Sequence, residues 1–248
     1  MFLSGRRMDE ENIYEKIKDI FGKFPGNISI LEEQVDIDLQ MEYFEFSRDV
    51  KKNPAPAGLN DLSKNLFDRE FPADGKKKIL VQLAVSEEVE AYRTIEKYLT
   101  HPDTGLRDWA VLAFQESRML LQSRLLDEDQ VFISTGLGGK GTKLRYFVAL
   151  INSTGKPFSK LQKRIVSAEL DYHLKKHEAE AEEICFIEDY CTILAIIPFR
   201  APIRELFRDA VEECNHLGGF LKENFIVTNV KKLSYEEINE FVTRKNVT

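Results

Sequence analysis

The residues whose types and spacing are best suited to chemistry lie in Thr135-Gly-Leu-Gly-Gly-Lys-Gly-Thr142 and just after it. Gly136, Gly138, Gly139 and Gly141 fall within six positions, flanked by Lys140, Lys143 and Arg145. Glycine lets bare backbone amides converge on an anion, and the bases add charge, so the run reads as a cradle for phosphate or carboxylate. Lys160, Lys163 and Arg164 follow within one helical turn, facing away from the expected apolar stripe of their helix. Gly136–Arg145 with Lys160 and Arg164 therefore form the candidate ligand site, and the ligand it would take is anionic, a nucleotide or RNA. Such binding weakens steeply with salt.

The spacing departs from the phosphate-binding patterns. GxxxxGK[ST] and GxGxxG both lead into a helix, whose N-terminal dipole helps to hold the anion. Here a strand-like run follows, and the same composition also fits a mobile hairpin tip. His173 and His177 stand one turn apart with Glu169 on the same face, a spacing that pairs metal ligands. No HExxH accompanies them, and with Lys175 and Lys176 they also suit a helix C-terminus. Glu182, Glu183, Glu188 and Asp189 contain the types needed for an acid–base pair, but charge at strand ends is ordinary turn chemistry. No catalytic triad spacing and no cofactor or metal motif is readable. Trp109, the sole tryptophan, falls where helix packing needs a large residue.

The composition excludes several classes. The 248 residues carry a net charge of −7, with 31% charged and 43% hydrophobic residues, which is ordinary globular usage. Residues 131–176 hold nine basic and two acidic residues, but the acidic whole repels a polyanion at long range. The strongest apolar run, 192–199, is far short of the ~20 residues that span a bilayer. No signal peptide is readable at the start, so a cytoplasmic protein without membrane contact is expected. Cys185, Cys191 and Cys214 are odd in number with no CxxC, and read as small buried hydrophobes.

Helical periodicity dominates up to residue 126. Residues 9–22 place Ile13, Ile17, Ile20 and Phe21 on one stripe; 28–50 is ambiguous and taken as helix; 51–58, with two prolines and a glycine, is a loop. Helices are expected over 59–71, 75–99 with a break near Ser86, and 104–126. After Gln130 the period changes to that of strands. Residues 131–135 and 144–152 read as strands, the second apolar on both faces as in a central strand. Pro157 opens a helix with Leu161, Ile165, Ala168 and Tyr172 as its apolar face. Strands at 183–188 and 190–199, a helix at 201–217 stopped by Gly218-Gly219, a strand at 220–233 and a terminal helix capped by Ser234 and Glu237 complete the chain.

Within this pattern, residues 101–113 resemble one repeat of the HEAT and armadillo-like helical families, matched at Asp103, Arg107, Ala110 and Ala113. The resemblance implies a stack of helical hairpins in which small residues let helices approach. The order strand, helix, strand, strand, helix, strand is similar to the split βαβ, or ferredoxin-like, arrangement, which implies no particular activity. Lys143-Leu-Arg-Tyr-Phe-Val148 resembles the basic-aromatic segment of the RRM family, with Leu144 in place of its glycine and Arg145 in place of an aromatic. The expectation is an α+β protein with an all-helical HEAT-like domain over 1–128 and a ferredoxin-like domain over 129–248. Its expected function is non-enzymatic: the helical stack binds a partner protein, with a second surface or self-association in the other domain. The alternative is an anionic ligand on the Gly-rich loop.

Overall fold

The computed structural model describes residues 2–3, 27–53, 58–126 and 130–245. The expected helix at 9–22 and residues 54–57 of the loop expected over 51–58 lie outside them; Lys51 and Lys52 of that expected loop are the last turn of a helix. The fold is α+β, and the described residues form two compact units, one of residues 2–3 and 27–134 and the other from Thr135 onward.

The first unit is not all-helical. Strands β1 (Phe2–Leu3) and β2 (Asn27–Ile30) both pair in parallel with β3 (Gln130–Ile133), so the strand expected to open the second unit closes the first. Residues 28–50 are thus strand and then helix. Asp36 decides the boundary: its Oδ1 accepts from the N–H groups of Asp38 at 2.9 Å and Leu39 at 3.2 Å, starting helix α1 (Ile37–Lys52). Helices α2 (Leu59–Phe67), α3 (Ala73–Val85), α4 (Val89–Thr100) and α5 (Arg107–Leu126) follow. The break expected near Ser86 is present, with Glu87 at φ 56°.

One continuous core joins these helices, centred on Tyr43, Leu66, Leu80, Leu83, Ile95, Trp109 and Leu112. Ala110 and Ala113 are fully buried, as close helix packing requires. Asp103 accepts from Lys76 Nζ at 2.7 Å and Tyr98 Oη at 2.6 Å, and these bonds hold its carboxyl below the usual range. Arg107 reaches Glu33 at 2.6 Å.

In the second unit a short β4 (Gly139–Lys140) turns into β5 (Lys143–Ile151), followed by α6 (Lys160–Lys176), β6 (Glu180–Ile187), β7 (Tyr190–Pro198), α7 (Ile203–His216), β8 (Ile226–Thr228) and α8 (Tyr235–Lys245). The sheet is antiparallel throughout. β5 lies between β7 on one side and β4 and β8 on the other, with β6 outside β7. Its central position accounts for its two apolar faces. One face, with Phe147, Ala149, Tyr190 and Leu194, packs against Ile238 of α8 and Leu233. The final strand is much shorter than the expected 220–233.

The caps follow local chemistry. Ser159 and Gln162 form a reciprocal capping box on α6, and Ser234 and Glu237 exchange the same bonds at α8. Gly219, at φ 61°, ends the turn after α7 with its N–H on the Asn215 carbonyl. The face of α6 is a correction: Val166, Leu170, His173 and Leu174 are buried, whereas Leu161, Ala168 and Tyr172 of the expected stripe are exposed and Ile165 half-exposed.

Candidate functional site

The Gly-rich run folds into a packed turn. Gly136 to Gly139 are buried, and Leu137, 2% exposed, belongs to the core under the sheet. Its N–H donates to the Asn229 carbonyl at 3.0 Å, and the Gly138 N–H donates to Thr135 at 3.1 Å. The Gly138 carbonyl accepts from the Arg145 N–H at 2.9 Å and from Thr135 Oγ1 at 3.2 Å. Gly139 and Lys140 pair with Leu144 and Lys143. Gly138 and Gly141 take φ of 68° and 59°, the left-handed turn that favours glycine. Gly138 and Gly141 thus serve the backbone geometry of the turn, and the Leu137 and Gly138 amides are bonded within the chain.

The bases beside the turn face acids of β6 and the residues before it. Arg145 grips Glu182 with both ends of its fork, Nε to Oε2 at 2.5 Å and Nη2 to Oε1 at 3.0 Å, while Nη1 donates to the Leu137 carbonyl at 2.7 Å. Lys143 donates to the Glu178 carbonyl, and Lys140 lies 3.9 Å from Glu180. Lys160 and Arg164 are exposed on α6, and Lys163 sits 5.3 Å over the Phe186 ring. The structure therefore joins Leu137, Arg145 and Glu182 into one latch and gives each of the other bases its own setting.

The hydrogen bond from Arg145, ahead of its Coulombic attraction, holds the Glu182 carboxyl below its ordinary range. A lowered folded value means that the stabilisation is present above the unfolded carboxyl value of about 4.3 and is lost as pH falls through the folded value. Glu182→Gln is expected to cost about 1 kcal/mol at pH 7 after allowance for partial exposure. In thermal melts, the gap between Glu182→Gln and the wild type should close below about pH 4.

A second feature was not foreseen from sequence. The face of the sheet under α8 encloses a cavity of about 170 Å³, lined by Phe147, Thr192, Leu194, Tyr190, Leu233 and Ile238, with Glu183, Cys185 and Lys232 among its polar groups. The i, i+2 alternation of Glu183, Cys185 and Ile187 on an edge strand is the signal that could have found it. Its size suits a side-chain-sized apolar group. Lys232 bonds Glu183 at 2.6 Å, and Cys185 Sγ donates to the same carboxylate at 3.3 Å. That hydrogen bond pushes the Cys185 thiol up, which keeps it protonated and weakly nucleophilic. Cys185 is only half-buried, unlike Cys191 and Cys214, where burial raises the thiols, the latter to about 12.

A broader concavity of about 580 Å³ lies between α6 and α7, lined by Glu169, Tyr172, His173, Lys176, Asp209, Glu212 and Glu213. His173 is buried, and among the described residues neither ring nitrogen has a hydrogen-bond partner; Glu169 Oε2 is 4.0 Å from Nε2. His177 instead caps α6, its N–H on the Leu174 carbonyl. Among the described residues no three His, Cys, Asp or Glu side chains are placed to hold a metal ion. No helix among them is long and apolar enough to cross a membrane.

No family model matches the chain, and no curated protein does. Among solved structures it is similar to the crystal structure of a putative transposase from Deinococcus radiodurans R1, with 15% identity and a TM-score of 0.35 over 43% of this chain and 94% of the other. That likeness is too weak to carry fold or function across.

Proposed function

We propose that the chain is a non-enzymatic interaction protein whose helical unit docks a partner protein. The observation that supports this most is an apolar patch where α4 begins and α5 ends. Arg124 donates to the Glu87 carbonyl at 3.1 Å and holds the two ends together. There Val89 is 58%, Leu125 75% and Leu126 58% exposed. Clustered exposed apolar side chains of this kind mark contact surfaces. Residues 1–130 carry 26 acidic and 18 basic residues, so the partner that fits surrounds its apolar contact with bases. We read the helical unit as a HEAT-like stack and the second unit, from its strand order, as ferredoxin-like.

A photo-crosslinker at Leu125 should trap a protein that the same group at exposed Arg93 does not. That protein, purified, should bind the chain, and Val89→Ser/Leu125→Ser/Leu126→Ser should weaken binding by about tenfold or more. Saturable turnover of phosphate esters by the purified chain would overturn this function. So would salt-steep binding of a nucleotide or RNA that Lys140→Ala/Lys143→Ala abolishes, which is the mark of the anionic-ligand alternative.

A further inference from the structure

Helices α6 and α7 turn like charges toward each other. On α6, Glu169, Tyr172, His173 and Lys176 stand at i, i+3, i+4 and i+7, along one face of the helix. On α7, Asp209, Glu212 and Glu213 repeat the i, i+3, i+4 spacing. These two faces wall the concavity of about 580 Å³, where four carboxylates stand against the one ammonium of Lys176. Arg208 lies 3.9 Å from Glu212 but is shared with Glu205, and His216 lies 3.6 Å from Glu213. Glu169 and Asp209 have no lysine or arginine partner among the described residues. Packing alone disfavours this arrangement, because like charges one turn apart on a helix repel.

His173 is the second, independent sign of a ligand. It is 4% exposed, and among the described residues neither ring nitrogen has a hydrogen-bond partner, which costs free energy that packing leaves uncompensated. Nε2 faces Glu169 Oε2 at 4.0 Å, beyond hydrogen-bond reach. The exposed Tyr172 ring packs edge-on against the imidazole at 5.2 Å. An imidazole nitrogen beside a carboxylate accepts best from a cationic donor, and an ammonium has three N–H bonds to share between them. Among the described residues no three side chains converge as metal ligands. The negative charge is spread over two helices, and a cation whose own charges are spread matches it better than a point charge.

We propose that the α6–α7 concavity binds an aliphatic polyamine, a chain of methylenes bearing two or more ammonium groups. One ammonium donates to Glu169 and to His173 Nε2, the part-exposed Glu169 side chain adjusting to admit it. The others pair with Asp209 and Glu213, and the Tyr172 ring receives the methylenes and attracts the charge. This site belongs to the second unit and stands independently of the docking proposed for the helical unit.

The test titrates the full chain with spermidine, Mg²⁺ and a peptide of four lysines by calorimetry at low salt. Spermidine should bind one per chain and at least about tenfold more tightly than Mg²⁺. Glu169→Gln and Asp209→Asn/Glu213→Gln should each weaken it by about tenfold, and Lys176→Ala should tighten it several-fold. Asp171→Asn removes an acid of α6 that pairs with Lys175 outside the concavity, and should change affinity by less than about twofold. His173→Leu should weaken spermidine by about tenfold while the melting temperature holds or rises, because the unpaired nitrogens are gone. Absence of spermidine binding, or affinity that survives Glu169→Gln and His173→Leu, overturns the proposal. Affinity that follows charge alone also overturns it, whether Mg²⁺ equals spermidine or Asp171→Asn is as damaging as Glu169→Gln. Tighter binding of the lysine peptide, lost in the same variants, overturns it as well, because the occupant is then a basic segment of a protein.

Discussion

Glu116→Ala is expected to destabilise the helical unit by about 3–5 kcal/mol, the cost of removing one partner from a buried charged network. The Glu116 side chain is fully buried in the middle of α5. Its oxygens accept from Tyr43 Oη at 2.7 Å and Ser47 Oγ at 2.7 and 2.9 Å, and Lys51 Nζ lies 2.8 Å away. Tyr43, Ser47 and Lys51 are spaced by four along α1, so one carboxylate fastens three successive turns of that helix to α5. Burial and then the Glu116 charge push the Tyr43 hydroxyl well above its ordinary value, which keeps it a donor. With alanine at 116, two buried hydroxyls lose their acceptor and a void opens beside them. Glu116→Gln keeps an acceptor oxygen and should cost about 1–2 kcal/mol. Tyr43→Phe/Ser47→Ala/Glu116→Leu removes both buried hydroxyl donors and their acceptor together and should recover much of the loss, because the one partner it leaves, Lys51, is 37% exposed and can turn to water. Urea unfolding of the four proteins measures the order. A Glu116→Ala protein as stable as wild type would mean that the network contributes nothing.

This network also shows where sequence reading stops. Tyr43, Ser47 and Lys51 are spaced like any mixed helix face, and their acceptor lies about 70 positions further on, so neither stretch announces the other. A single Glu inside Ala-Val-Leu-Ala-Phe-Gln-Glu-Ser-Arg-Met-Leu-Leu was the available hint, since a carboxylate on a buried helix needs partners. The same limit applies to α6. Two apolar stripes run along it at helical spacing, and periodicity reports both without saying which one meets the sheet. β5 was readable because its two apolar faces leave a central position as the only solution. The Gly-rich run is ambiguous, because a packed turn and an anion cradle share a composition. They differ in where the Asn229 carbonyl and the Glu182 carboxylate lie, and folding alone places those. β3 was recognised as a strand, yet its parallel partners β1 and β2 lie about 100 or more positions earlier, beyond any local pattern.

Trp109→Ala carries the other large expected effect, again about 3–5 kcal/mol and a fall in melting temperature on the order of 10 °C. Trp109 is 1% exposed and is the largest fully buried side chain. Tyr43 packs edge-on against its ring at 5.1 Å and Phe46 at 5.9 Å. Its Nε1 donates to the Lys77 carbonyl at 3.1 Å, and Lys77 Nζ lies 4.5 Å from the ring centre. Trp109 therefore ties α1, α3 and α5 together at one point. Trp109→Phe retains most of the apolar volume but loses the donor, and should cost about 1–2 kcal/mol. Tyr43 touches both Trp109 through its ring and Glu116 through its hydroxyl, so the two sites share a partner. Loss of either one loosens Tyr43, and removal of the second then costs less than it would alone. Trp109→Ala/Glu116→Ala should accordingly be less damaging than the two single effects added, by about 0.5–3 kcal/mol. The Trp109→Phe/Glu116→Gln pair, stable enough to melt cleanly, gives the same comparison on a smaller scale. Strict additivity in both cycles would show that Tyr43 does not transmit between the aromatic cluster and the carboxylate.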